Sequence, residues 1–143
     1  MATDRTATVT WHGSLMEGEG TIHDVGSGTF GPIGVSWPAR TEVPNGKTSP
    51  EELLAAAHAA CFSMALSSGL AKAGTPPDRL DTSATVTFQP GEGITRVVLH
   101  VRGVVPGVDE ESFVAAAEGA KANCPVSKAL AGVPEISLDA ALA

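Results

Sequence analysis

The two cysteines, Cys61 and Cys124, are the residues of the chain with the most specific chemistry. A permanent structural disulfide between them is not expected in a reducing compartment, but a transient disulfide formed during catalysis is compatible with one. The thiolate is the nucleophilic form of cysteine, so the surroundings of each sulfur decide its reactivity. The pair indicates thiol redox chemistry. The competing interpretation is that each cysteine is a small buried apolar residue.

Cys124 lies directly before a proline, in the run Asn123-Cys124-Pro125-Val126-Ser127. Proline suits the first position of a helix, which leaves Cys124 as the cap with its sulfur facing free backbone N–H groups. A helix N-terminus lowers the pKa of a thiol and stabilises the thiolate. The pattern favours a thiolate at Cys124, and a cysteine that merely occupies a cap position is the alternative.

Cys61 lies in the middle of a long predicted helix. Ser49 can cap this helix, Pro50 suits its first position, and it is expected to run to about Ala73. Around Cys61 the helix carries small apolar residues on every side, which is typical of a buried helix. A single small domain rarely buries such a helix alone, so we infer a homodimer with this helix at or near the interface.

The elements around the cysteines predict an α+β fold with mostly antiparallel pairing, in the order β-β-β-α-β-β-α-α-β. Period-two alternation and turn residues place the strands at 6–11, 21–25, 33–37, 82–89, 94–105 and 135–142. Besides the long helix, a second helix is expected from near Asp109 and a short helical turn from Pro125. No repeat or linker divides the chain, so residues 1–143 are expected to form one domain.

The charge of the chain argues against nucleic acid or an anionic membrane as partner. The formal net charge is -7 and the basic residues do not cluster. The N-terminus lacks the apolar stretch of a signal peptide, and no uninterrupted apolar run is long enough to cross a bilayer. We therefore expect a cytoplasmic protein.

Two stretches resemble the OsmC/Ohr family (osmotically inducible protein C and organic hydroperoxide resistance protein). The run from Thr48 to Leu66 resembles its signature helix, and the run from Cys124 to Leu130 resembles its second-cysteine motif. His58 and Val126 favour the OsmC branch. The resemblance implies an OsmC-like fold of antiparallel sheets around long central helices, in an intertwined homodimer without metal or organic cofactor. It also implies a peroxidase that reduces organic hydroperoxides, in which Cys61 attacks and Cys124 resolves the sulfenic acid as a disulfide.

The resemblance assigns two further catalytic residues, Arg40 and Glu51. The Arg40 guanidinium could stabilise the Cys61 thiolate while Glu51 holds it in a two-point fork. On their own, the two residues also fit a solvated loop charge and an acidic first-turn residue. Ten helical residues separate Glu51 from Cys61 by about 15 Å, so a shared site needs either a displaced first turn or a Glu51 from the other subunit. We predict the second arrangement.

Other functions fit the sequence less well. A zinc site of His58, Cys61 and Cys124 lacks the paired short ligand spacings of such sites, and His58 is predicted to be a packed helix residue. The glycines of 26–31 match a dinucleotide pattern but precede no helix, and a thioredoxin-like Cys-x-x-Cys motif is absent. A dimeric binding protein with an apolar interface pocket stays open as the non-enzymatic alternative. The thiol reductant, which the resemblance suggests is a lipoyl group or another thiol, is not identified by any residue.

Overall fold

The computed structural model describes all 143 residues and divides the chain into two compact units, Met1–Leu53 and Leu54–Ala143. The N-terminal unit contains a three-stranded antiparallel sheet in the order β1-β2-β3. Its strands are β1 (Ala7–His12), β2 (Glu19–Val25) and β3 (Ile33–Val35). The three strands predicted from the alternation in this half of the chain are confirmed.

A one-turn helix, α1 (Trp37–Thr41), follows the third strand. The sequence analysis assigned this stretch to a loop because of its prolines. Ser36 caps the helix by accepting a hydrogen bond from the backbone N–H of Ala39 at 3.2 Å, and Pro38 lies in its first turn. Proline is tolerated there because the first N–H groups of a helix have no intrahelical partner. Arg40 is therefore a helical residue.

The long helix, α2 (Pro50–Lys72), has the predicted bounds to within one residue at each end. The Ser49 hydroxyl accepts from the backbone N–H of Glu52 at 3.1 Å, as expected for its cap. The Glu52 carboxylate accepts a hydrogen bond from the Thr48 hydroxyl at 2.8 Å. Both contacts fix the start of the helix that carries Cys61.

The C-terminal unit contains most of α2, a second three-stranded sheet in the order β4-β5-β6, and two further helices. Its elements are β4 (Arg79–Gln89), β5 (Gly93–Val104), α3 (Glu110–Asn123), α4 (Pro125–Ala129) and β6 (Glu135–Leu142). The β4 and β5 strands form the predicted hairpin, whereas β6 pairs with β5 in parallel. This pairing departs from the expected antiparallel sheets because α3 and α4 form a crossover that returns the chain in the same direction.

The core of the C-terminal unit lies between α2, α3 and the second sheet. One face of α2 contributes Phe62, Leu66 and Leu70 at a spacing of four residues, and all three are almost fully buried. They pack with residues of β5 and α3, namely Leu99, Val101, Phe113, Ala117 and Ala120. Cys124 belongs to this core cluster, and Cys61 packs against it. The core therefore fixes the positions of both thiols.

The α2 helix is also the one helix long and apolar enough to cross a membrane by length and composition. The helix meets this test on mean hydropathy, and polar residues such as His58 and Ser63 interrupt it, so the expectation of no uninterrupted apolar run of that length is not contradicted. Only 22% of its apolar window is buried within the chain. A core helix of a soluble protein meets the same length and composition test, so the feature is weak evidence for a membrane span. The exposed apolar surface needs a cover, which the proposed dimer would supply.

Candidate active site

Cys61 and Cys124 are brought together in the C-terminal unit. Cys61 projects from the middle of α2, and Cys124 joins the end of α3 to the start of α4. Both are free thiols, and the Cys61 thiol donates a hydrogen bond to the Cys124 sulfur. Cys124 is fully buried and Cys61 is half-buried, so Cys61 is the thiol that a substrate can reach. The contact is what a reversible disulfide between them requires.

The Cys124 sulfur is surrounded by hydrogen-bond donors. Burial raises the pKa of the Cys124 thiol, but the nearby Cys61 thiol, the backbone N–H groups of Ser127 and Val126, and the Ser127 hydroxyl lower it by more. The net effect is a lowered pKa, because hydrogen bonds to a charged group favour the charged form. The predicted cap position of Cys124 is confirmed, with Pro125 at the first helical position of α4. The sulfur makes no cap hydrogen bond to the first turn of α4.

Cys61 has the opposite balance. Burial and the hydrogen bond with Cys124 raise the pKa of the Cys61 thiol, and the backbone N–H of Val126 lowers it to a lesser extent. The two thiols are therefore shifted in opposite directions, and Cys124 is the more readily ionised of the two. A proton passed from Cys61 to an ionised Cys124 would give a Cys61 thiolate.

Arg40 and Glu51 form the two-point fork that the sequence analysis expected. Arg40 Nη2 and Nε donate to Glu51 Oε1 at 2.7 and 3.0 Å, and Nε is also 3.1 Å from Oε2. Glu51 is buried, at 7% exposure, and the guanidinium lies 5.9 Å from the ring centroid of Trp37. A buried carboxylate held by a rigid guanidinium gives a fixed positive group at this edge of the N-terminal unit.

The fork borders an apolar pocket of about 210 Å³ in the same unit. Its wall is formed by Trp11, Leu15, Val35, Ser36, Trp37, Arg40 and Pro50. Two indole rings and a leucine next to a guanidinium suit a ligand with an apolar body and one polar end. The pocket is a feature that sequence reasoning did not find, since its lining comes from three separate stretches of the N-terminal unit.

The two pairs of predicted site residues belong to different units. The thiols lie in the C-terminal unit, and the fork lies in the N-terminal unit with Glu51 on the first turn of α2. The α2 helix is continuous from Pro50 to Lys72, and its first turn, which carries Glu51, is helical. A shared site for the two pairs stays a prediction.

His58 and Ser127 are additional residues beside the thiols that the sequence analysis did not connect. His58 is fully buried and its Nε2 lies 2.7 Å from the Ser127 Oγ, 69 positions along the chain. The sequence predicted a packed helix residue, and the burial confirms this. Burial also lowers the pKa of His58. The sequence feature that could have identified Ser127 is its position three residues after the capping Cys124, because a side chain at that position faces back to the cap.

An α+β chain with an accessible thiol hydrogen bonded to a buried, charge-stabilised thiol defines a two-cysteine redox protein. The family model described as OsmC-like protein matches residues 43–139. Peroxiredoxin OsmC of Escherichia coli is 42% identical over 132 residues, which covers 90% of each chain. The chain therefore belongs to the OsmC-like family and is a cysteine-based peroxidase of peroxide detoxification, as predicted.

Two further relatives support the same assignment. An organic hydroperoxide resistance protein of Xanthomonas axonopodis pv. citri is 32% identical over 97 residues, covering 64% of this chain and 65% of its own. The crystal structure of an organic hydroperoxide resistance protein from Elizabethkingia anophelis superposes with a TM-score of 0.71 at 27% identity, covering 100% of both chains. The higher identity to the OsmC relative agrees with the branch that His58 and Val126 favoured.

Proposed function

We propose that the chain reduces organic hydroperoxides to alcohols through a Cys61 sulfenic acid and a Cys61–Cys124 disulfide. The observation that carries this proposal is the hydrogen bond between an accessible thiol and a buried thiol of lowered pKa. The Cys61 sulfur is accessible to the peroxide, and the Cys124 sulfur is already in contact with the atom that becomes the sulfenic acid.

In the first step, Cys61 passes its proton toward Cys124 and attacks the terminal peroxide oxygen as a thiolate. A sulfur–oxygen bond forms, the oxygen–oxygen bond breaks, and the leaving alkoxide takes the proton from Cys124 to give the alcohol, which leaves Cys124 as the thiolate. Cys61 is then a sulfenic acid. Sulfur is oxidised and the peroxide is reduced by two electrons.

In the second step, the Cys124 thiolate attacks the Cys61 sulfur. The disulfide forms, and hydroxide leaves and is protonated to water. The donors around Cys124 lower its pKa and so favour the thiolate that this attack needs. A dithiol reductant such as a lipoyl group, or a small thiol, then reopens the disulfide by exchange and restores both thiols.

Arg40 would stabilise the Cys61 thiolate and the developing alkoxide, with Glu51 fixing the guanidinium. The separation of Glu51 and Cys61 along α2 supports a fork supplied by the second subunit. As a test, Glu51→Gln and Cys61→Ser proteins are unfolded together and reassembled. Activity in the mixture above that of either protein alone is expected, because one site of the heterodimer is intact. No activity would contradict the cross-subunit arrangement.

A homodimer would also cover apolar surface that one chain leaves open. Met64 on α2 is 72% exposed, and Val9 and Trp11 on β1 are 58% and 40% exposed. Large apolar side chains left at this exposure favour an interface. The pocket beside Arg40 would then bring an apolar wall to the peroxide's organic group, which supports an organic rather than an inorganic substrate.

The proposal is tested by following consumption of cumene and tert-butyl hydroperoxide with a dithiol reductant. Cys61→Ser is expected to lose turnover entirely, since it lacks the attacking sulfur. In Cys124→Ser, Cys61 is expected to be oxidised once and then to turn over slowly, because only an external thiol can reduce its sulfenic acid. An inert parent, or an active Cys61→Ser protein, would contradict the proposal and favour a binding protein with an apolar pocket.

A further inference from the structure

A chain of hydrogen bonds connects His58 on α2 to the Cys124 sulfur. His58 Nε2 lies 2.7 Å from Ser127 Oγ, and the Ser127 hydroxyl donates to Cys124. His58 is fully buried and Ser127 is 8% exposed, so water does not compete for these contacts. No step of the proposed reaction uses His58, although it is a buried polar group next to the reacting sulfurs.

The direction of this chain follows from the unpartnered atom at its far end. The His58 Nδ1 is buried and has no hydrogen-bond partner. If Nδ1 carried the hydrogen, a buried donor would be left unsatisfied, and Nε2 would have to take the Ser127 hydroxyl hydrogen away from Cys124. With the hydrogen on Nε2, His58 donates to Ser127 and Ser127 donates to the sulfur. The second arrangement satisfies every donor in the chain.

We propose that His58 is a positioning residue for the disulfide-forming step: its Nε2–H holds the Ser127 hydroxyl in the orientation that donates to the Cys124 thiolate. The inference rests on the proposed function only in that Cys124 is the resolving thiol. A serine hydroxyl rotates freely and has two acceptor positions. A donor fixed at one of them leaves the hydroxyl hydrogen free for the sulfur.

This role needs a donor at the Nε2 position and does not need a titrating ring. Glutamine carries an amide N–H near the place of the imidazole Nε2, whereas leucine has similar bulk and no donor. His58→Gln should therefore preserve the orientation of Ser127, and His58→Leu should lose it. Ser127→Ala removes the donor to sulfur itself and tests the same chain from its other end.

The first experiment measures the Cys124 thiolate without any peroxide. In a Cys61→Ser background Cys124 is the single thiol, and its ionisation is followed by absorbance at 240 nm against pH. The groups that lower the pKa of Cys124 in the parent are Cys61, Val126 and Ser127. The Cys61→Ser change is common to all the proteins compared, so only the contribution of the Ser127 hydroxyl differs among them. Adding His58→Leu or Ser127→Ala is expected to raise the pKa of Cys124 by about one, whereas His58→Gln changes it by less than half that.

The second experiment separates the two chemical steps after one equivalent of cumene hydroperoxide. His58→Leu and Ser127→Ala are expected to consume peroxide within about twofold of the parent rate and to form the disulfide about tenfold more slowly. His58→Gln restores the parent rate of disulfide formation to within about threefold. An unchanged Cys124 titration in both Ser127→Ala and His58→Leu, or a His58→Gln protein as slow as His58→Leu, would overturn the proposal. A parent that forms no disulfide contradicts the proposed function instead and leaves the titration result standing.

Discussion

The two compact units of the chain bury their side chains to different degrees. The C-terminal unit buries three aliphatic or aromatic residues of α2 against a sheet and a second helix. Phe62 and Leu66 of α2 and Phe113 of α3 are at 0% exposure. In the N-terminal unit Ile22 and Ala39 are the buried hydrophobic residues, and every residue of β1 is exposed. A unit with its own core fixes two thiols in contact. A unit with little core presents a charged fork and an apolar pocket, and gains its cover from a partner in our proposal.

The largest effect is expected from the core of the C-terminal unit. Phe113→Ala should lower the free energy of unfolding by about 3–5 kcal/mol, because it empties a fully buried aromatic site. Urea unfolding of the reduced protein measures this. Val104→Ala, at a residue that is 42% exposed on β5, is the control and should cost less than about 1 kcal/mol. Equal costs for the two changes would mean that this unit is not organised around the described core.

The fork of the N-terminal unit is expected to matter for chemistry more than for folding. Arg40→Met should slow the single-turnover oxidation of Cys61 about a hundredfold, the order found for loss of a preorganised donor to developing charge. Arg40→Lys keeps the charge and loses the two-point geometry with Glu51, so an intermediate rate is expected. Stopped-flow consumption of hydroperoxide gives both rates. If Cys61 in Arg40→Met is oxidised at the parent rate, Arg40 and Glu51 do not take part in the reaction.

The exposed surface of β1 offers a test of its proposed cover. Val9→Asp should weaken dimerisation at least about tenfold, since it places a charge where apolar surface is expected to be buried. Sedimentation velocity over a range of protein concentrations measures the change. Ala115→Asp introduces the same charge at an exposed position of α3 in the C-terminal unit and is the matched control. A parent that sediments as a monomer would contradict the dimer directly.

The smallest effect is a dependence of stability on pH from His58. Burial lowers the pKa of His58, so below a pH of about 6.5 the unfolded chain binds a proton that the folded chain does not. The free energy of unfolding should therefore fall as the pH decreases, by at most about 1.4 kcal/mol per pH unit from this residue. Urea unfolding of the reduced protein at pH 7.5, 6.5 and 5.5 tests it. His58→Gln should show a shallower slope, and identical slopes would count against a buried neutral histidine.

The sequence predicted the elements that depend on local signals and missed what depends on tertiary position. The cap at Ser49, the proline at the start of α2 and the alternation along β4 and β5 placed these elements correctly. The direction of β6 was missed, because periodicity shows which face a strand buries and not which way its neighbour runs. The short helix α1 was also missed, because prolines are typical both of loops and of helix starts.

The candidate site was predictable in part for similar reasons. The cap environment of Cys124 followed from the proline after it, and the pairing of Arg40 with Glu51 followed from family resemblance. The contact between His58 and Ser127 joins residues 69 positions apart, and no local pattern encodes it. Sequence reasoning could therefore find the groups that we propose to react, and the structure was needed to find the residues that we propose to orient them.

Peptide mapping after one equivalent of cumene hydroperoxide tests the central claim most directly. Non-reduced tryptic digestion should yield a disulfide between peptides 48–72 and 122–128, which contain Cys61 and Cys124 respectively. In Cys124→Ser, dimedone should label a sulfenic acid at Cys61. A sulfenic acid formed on Cys124 in the Cys61→Ser protein at the parent rate would contradict the assigned roles. So would a parent left unoxidised at both cysteines.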